Sequence, residues 1–341
     1  MITKQDRLLD FLGQEGTQFV IPVYQRPYAW TPRQCRELWK DIVRAGELGC
    51  SHFMSMVLFR EADDCPDGLR QIDIIDGQQR IATMTILLNV LKEHLAKTGK
   101  TVAGMGADDI ASRFLKVVDG GVARAKIQLL SFDLNTLDAI IAGGELPAKP
   151  SPRVVDNYRF FQEQMESEDF DLECFWAGVE QLLVIDAELG RDDKAQAIFE
   201  SLNTKGIPLT TADLVRNYLL VGLPRDEQVR LYNEYWNPIE LMFGEDRDSM
   251  KLNSGLRMWL DIRYRKKRLH RQEDTYNSFK EYTMTVYKGT VEELLDELRS
   301  FCLMWAENFK FNEVKAFRTM DWAKDGQRKN LLPGWGHQSG F

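Results

Sequence analysis

The sequence predicts an α+β protein, with a small mixed α/β domain over residues 1–147 and a mainly helical domain over residues 148–341. Three observations predict it. Ile72, Ile74 and Ile75 form a short β-branched apolar run that reads as a buried strand, which Asp76-Gly77 ends in a sharp turn. Ile81, Met84, Leu88, Leu91 and Leu95 then recur at helical spacing. Ile86, Leu87 and Val90 widen that apolar face until the helix must be buried on most sides. Finally, Pro147, Pro150 and Pro152 mark the clearest boundary in the chain, and the pattern beyond them is mainly helical.

In chain order, Leu8 to Leu12 suggests a short helix ended at Gly13, and Gln18 to Ile21 reads as a strand. Pro22 to Trp30 is dense in aromatics, and its two prolines exclude helix or a central strand, so it reads as a stiff loop. Thr31-Pro32 is a helix start, with Thr as N-cap and Pro in the first position, and the helix should run to about Leu48. Phe53 to Phe59 is a second strand and should pair with the Ile72 strand as a hairpin. Ile110 to Val118 is expected to be a short helix, Lys126 to Leu130 a strand, and Asp133 the cap of a helix ending at Gly143. Further on, Val155 to Met165 is helical, Leu182 to Ile185 could add one strand, and Ala195 to Leu202 is helical. Thr210-x-x-Asp213 starts another helix with a capping-box pattern.

Composition narrows the function classes. Apolar content of 44% and charged content of 28% are ordinary for a globular protein. A net charge of −8 argues against a polybasic nucleic-acid binder, so any DNA contact must come from a local patch. Arg263 to Arg271 is the one strongly basic run, and Arg265, Lys266, Lys267 and Arg268 could contact a DNA backbone or form a solvated helix face. The five cysteines are scattered without a CxxC pair, which fits a reducing compartment rather than a disulfide framework or zinc site. No apolar run approaches the length of a membrane span and no signal-peptide pattern opens the chain, so the expected location is the cytoplasm.

The strand–glycine–helix turn leaves backbone N–H groups at a helix start, a ready site for phosphate. Arg80 in the first helical turn opposes the helix dipole, a penalty that a bound anion would remove. The alternative is that Asp76 caps the helix and pairs with Arg80. The loop likewise has two readings. Tyr24, Gln25 and Arg26 suit stacking on a base or sugar and pairing with a phosphate, whereas Trp30 reads as packing the loop down. Lys205, at a helix end, could reach a phosphate, or it could belong to a helix–turn–helix held by Gly206 and Pro208.

Three stretches, Ile21 to Trp30, Ile75 to Arg80 and Leu202 to Leu214, together resemble the family of GmrSD-type modification-dependent restriction proteins. The phosphorothioate-sensing SspE proteins of phage defence look like closer cousins within it. The resemblance covers roughly residues 5 to 225 and rests on the conjunction of the three motifs. It implies an N-terminal domain similar to the ParB/sulfiredoxin fold, in which Gly-x-x-Arg at a helix start holds nucleotide phosphates; Gly77 and Arg80 match that pattern. It further implies a nucleoside triphosphatase, using Mg2+, that couples hydrolysis to recognition of modified double-stranded DNA. Carried over, Arg80 would neutralise charge on a phosphoryl group. Asp76 would hold the metal or orient water, and Gln78 or Gln79 would position the nucleophile. Pro22, Tyr24 and Tyr28 would form a shallow apolar pocket for a soft sulfur. Many members carry a His-Asn-His-like nuclease domain, whereas the four histidines here are isolated. A nuclease is therefore expected downstream or on a partner chain. A ParB-like nuclease and a non-catalytic adaptor that recruits a nuclease are the competing functions.

Overall fold

The computed structural model describes residues 1–62, 69–129, 131–190, 193, 196, 198, 209–243, 250–264 and 272–308. They fall into two compact units, Met1–Leu209 with Arg216–Pro224, and Thr210–Val215 with Arg225–Phe341. The first unit is mixed α/β and the second helical, in keeping with the predicted α+β class.

The first unit is built on a six-stranded mixed sheet ordered β1-β8-β3-β4-β2-β7. The strands are β1 (Ile2–Arg7), β2 (Thr17–Val20), β3 (His52–Glu61), β4 (Arg70–Asp76), β7 (Ile127–Gln128) and β8 (Leu182–Glu188). β3 and β4 pair antiparallel, as the expected hairpin, and β2 runs parallel to β4. The proline cluster misleads on the boundary. Helices Pro152–Met165 (α6) and Leu172–Glu180 (α7) and strand β8 belong to the first unit, because β8 inserts between β1 and β3.

The early helices are α1 (Leu8–Leu12), α2 (Pro32–Leu48) and α3 (Gln78–Thr98). α2 starts where Thr31 predicts it. The Thr31 hydroxyl accepts from the Arg33 N–H at 3.3 Å, and the Gln34 side chain accepts from the Thr31 N–H at 2.9 Å. α3 buries every residue from Ile81 to Leu91 within one core, which accounts for its apolar residues on all sides. α2 and α7 meet backbone to backbone. A Cβ on Gly46 would overlap the Cys174 carbonyl, and one on Gly178 would overlap the Ile42 carbonyl.

Three local expectations need correction. Asp133 does not cap a helix: it is the third residue of Ser131–Ala142 (α5), and its carboxylate accepts from the Tyr28 N–H and the Ser151 hydroxyl. The helix expected over 110–118 is a short helix, Ala107–Ile110 (α4), running into a π-helical turn that stops at Leu115. Lys116–Asp119 (β5) then pairs with Val122–Ala125 (β6) across Gly120-Gly121, both at positive φ, so Val117 and Val118 are extended. The strand expected over 126–130 is accordingly only the two residues of β7.

Lys126, just before β7, is 3% exposed, and its ammonium donates to the Arg113 carbonyl at 2.7 Å. Burial, helped by nearby Arg113, lowers its pKa from 10.5 to about 8. Between those values the folded chain binds fewer protons than the unfolded one. Stability should therefore rise as pH climbs from about 8 towards 10.5. Denaturation midpoints measured across that window should show the rise in the parent and not in Lys126→Met.

In the second unit, the capping box predicted at Thr210 is present. The Thr210 hydroxyl accepts from the Asp213 N–H at 3.1 Å, and the Asp213 carboxylate accepts from the Thr210 N–H at 3.1 Å. Trp236 and Trp259 fill the core there. Among the described residues no helix is long and apolar enough to cross a membrane.

Candidate functional site

The turn between β4 and α3 is set by Gly77, whose φ of 94° only glycine adopts readily. Its neighbourhood enforces the same choice, since a Cβ would lie 3.2 Å from the Met56 carbonyl oxygen and 3.3 Å from Val57 Cα. Gly77 provides no side-chain cap, so the N–H groups of Gln78 and Gln79 open α3 uncapped by any side chain. Asp76 and Arg80 flank this helix start. Burial raises the Asp76 pKa, opposed by the Gly77 N–H and by the charges of Arg80 and Arg26. Burial also lowers the Arg80 pKa, opposed by Asp76. Two guanidinium groups thus bear on one carboxylate beside a helix N-terminus. That is a setting for an anion.

The loop from Pro22 to Trp30 is bound to this turn through its backbone. A tight turn joins the Gln25 N–H to the Pro22 carbonyl at 2.9 Å. The Gln25 side chain donates to the Ile75 carbonyl at 2.7 Å, one residue before Asp76. The Gln79 amide accepts from the Ala29 N–H at 2.8 Å and donates to the Pro27 carbonyl at 3.2 Å. Tyr28 donates its N–H to Asp133 at 2.9 Å, and its hydroxyl lies 2.7 Å from that of Thr83. Asn157 donates to the Tyr28 hydroxyl and to the Trp30 carbonyl, each at 2.8 Å. Arg216, on the helix Thr211–Leu220 (α8), is 1% exposed and donates to the Tyr24 carbonyl at 3.1 Å. The loop and turn motifs therefore meet, and the third motif's helix touches the loop.

Burial sorts the expected contacts. Pro22, Tyr24, Gln25 and Tyr28 are buried, so their rings and amide are not free to stack on a base in this conformation. Arg26, Pro27 and Trp30 are half-buried, and Arg80 lies over the Trp30 ring at 5.8 Å. Gln79 is engaged by the loop rather than by the helix start. Lys205 and Arg265, Lys266, Lys267 and Arg268 lie outside the described residues. Sequence reading missed Thr83, Asn157 and Arg216 as supports. A signal existed for two of them, because Asn157 falls in phase with buried Val154 and Phe161, and Arg216 with buried Ala212 and Leu219.

A cleft of ≈ 240 Å3, its open mouth included, lies beside the turn, lined by Arg26, Tyr28, Gln78, Gln79 and Asp133 over apolar Ile21, Ala82 and Leu129. Among the described residues no group of three or more His, Cys, Asp or Glu side chains is placed to hold a metal ion. Asp76 would supply a single carboxylate, a donor set that suits Mg2+ only when phosphate oxygens complete it.

The family profile of the GmrSD restriction endonuclease N-terminal domain matches residues 8–220. The chain belongs to the GmrSD family. No curated protein matches it. The matched span encloses all three motifs and the whole six-stranded sheet except β1. Membership makes the chain a component of a restriction or defence system, and a restriction family implies interaction with DNA. Within that span the hydrogen bonds above converge on one place, where the loop closes on the start of α3.

Proposed function

We propose that this GmrSD-family chain is a nucleoside triphosphatase that couples hydrolysis to sensing of modified double-stranded DNA. The observation that carries the reading is the bond from Gln25 to the carbonyl just before Asp76. It ties a loop bearing Arg26 to a helix start bearing Arg80. Phosphate oxygens would lie against Arg80, Arg26 and the N–H groups that open α3. Asp76 would hold Mg2+ jointly with the phosphates; the bound ion supplies charge neutralisation at the transferring phosphoryl group. DNA would meet Arg26 and Pro27 at the cleft mouth, with Lys205 and the basic run from Arg265 to Arg268 as further backbone contacts.

Because Tyr24, Gln25 and Tyr28 are buried, a modification such as phosphorothioate would be sensed by loosening the loop rather than by stacking on it. Loosening would break the Gln25 bond and change the geometry at Asp76 and Arg80, an energetic coupling of about 1–3 kcal/mol. A second reading, a non-catalytic adaptor that binds DNA or nucleotide and recruits a nuclease, draws on one observation: Gln79 is already engaged by the loop. Phosphate release from several nucleoside triphosphates, with modified and unmodified DNA, separates the two. Hydrolysis stimulated by modified DNA supports the first. DNA or nucleotide binding without hydrolysis under any condition supports the adaptor.

A further inference from the structure

Gln78 and Gln79 open the same helix, yet their surroundings are opposite. Both amide atoms of Gln79 are bonded within the protein, to the Ala29 N–H and the Pro27 carbonyl. This two-point clasp mimics the pairing of a neighbouring strand and fixes the peptides between Arg26 and Trp30. Gln78 is 7% exposed, and its Oε1 is buried with no hydrogen-bond donor among the described residues. It faces the cleft it shares with Arg26, Tyr28 and Asp133.

The other amide and carboxylate acceptors in that cleft are occupied, since Gln79 takes the Ala29 N–H at 2.8 Å, and Asp133 takes the Tyr28 N–H at 2.9 Å and the Ser151 hydroxyl at 2.7 Å. A buried amide oxygen without a donor costs about 1–3 kcal/mol, so a native structure that keeps one calls for an explanation. The cleft floor of Ile21, Ala82 and Leu129 has no side-chain donor to offer it. What the oxygen lacks is a small donor arriving from the mouth, and a water beside a phosphate is such a donor.

We propose that Gln78 orients the water that attacks the terminal phosphoryl group, while Gln79 is a positioning residue that latches the 22–30 loop onto the start of α3. The assignment rests on the triphosphatase reading above. In the step, a bond forms from the water oxygen to phosphorus as the bond to the bridging oxygen breaks. The electron pair stays with the departing diphosphate, and the water's proton passes to an oxygen of the released phosphate. Gln78 accepts a hydrogen bond throughout and takes no proton.

The test uses Gln78→Ala, Gln78→Met (similar in volume, without an acceptor) and Gln79→Ala in the full chain. Three quantities are measured: the single-turnover hydrolysis rate, the affinity for a non-hydrolysable triphosphate, and amide exchange at Ala29. Both Gln78 variants should lose about 10²-fold in rate, the scale of a misplaced reactant, with affinity and Ala29 exchange unchanged. Gln79→Ala should speed Ala29 exchange and weaken affinity about tenfold. Faster Ala29 exchange in the Gln78 variants, or a lost rate in Gln79→Ala with Ala29 still protected, overturns the division. If the parent hydrolyses no nucleotide, the triphosphatase reading and the Gln78 role fall together. The latch then stands or falls on Ala29 exchange alone.

Discussion

Replacing Arg80 with alanine is expected to lower nucleotide hydrolysis about 10³-fold while leaving the fold in place. The catalytic loss follows from position: Arg80 is the half-buried guanidinium in the first turn of α3, beside uncapped N–H groups and across from Asp76. The structural loss is small because the Arg80 side chain packs over the Trp30 ring, a contact worth about 0.5–2 kcal/mol. Removing a cation from a helix N-terminus also relieves an unfavourable interaction with the dipole. Arg80→Lys should recover only part of the rate, since an ammonium cannot form a forked bond to a phosphoryl group. Calorimetry would confirm the fold and a phosphate-release assay would read the activity. A variant that matches the parent rate would move the phosphate site away from this turn.

Gly178→Ala should be among the most destabilising single changes in the first unit. A methyl group there overlaps the Ile42 carbonyl, which is backbone and cannot rotate aside, so α2 and α7 must separate. The expected cost is about 3 kcal/mol or more, at the upper end of overpacking effects. For a unit of this size the thermal midpoint should drop by roughly 6–12 °C. Gly46→Ala meets the Cys174 carbonyl and should behave alike. Gly144→Ala is the control, because its nearest neighbour would be the Ala139 carbonyl oxygen at 3.9 Å. Equal midpoints for Gly178→Ala and Gly144→Ala would mean that the helix crossing is looser than the backbone contact implies.

Much of the first unit was legible because its signals are local. The Thr31-Pro32 start of α2, the β3–β4 hairpin, the Gly77 turn and the buried α3 each follow from a few adjacent residues. β1 was not legible, since Ile2–Arg7 is a mostly exposed edge strand whose pattern is largely polar. β8 was legible as a strand but not in its place, because pairing with β1 and β3 depends on residues more than a hundred positions away. The same limit applied to the site. Its motifs marked the loop and the turn, and helix-start chemistry suggested the anion. The roles of the two glutamines could not be separated in sequence, because identical adjacent side chains differ only in what the fold brings to them. Tyr24 and Gln25 looked available for DNA for a related reason. An aromatic loop reads as exposed until the buried residues that hold it, Asn157 and Arg216, are seen.

The position of β8 also governs how the protein is made. Ile2 pairs with Glu188, and among the described residues β1 has no other neighbour in the sheet. At about 5–20 residues per second of synthesis, roughly ten to forty seconds separate the emergence of β1 from that of its partner. Through that interval the nascent chain carries an unpaired N-terminal strand and an open edge on β3, the kind of surface that chaperones hold and that aggregates recruit. Ribosome stalling between α7 and β8 would therefore be more harmful than stalling a few tens of residues later, when β8 has joined β1 to β3.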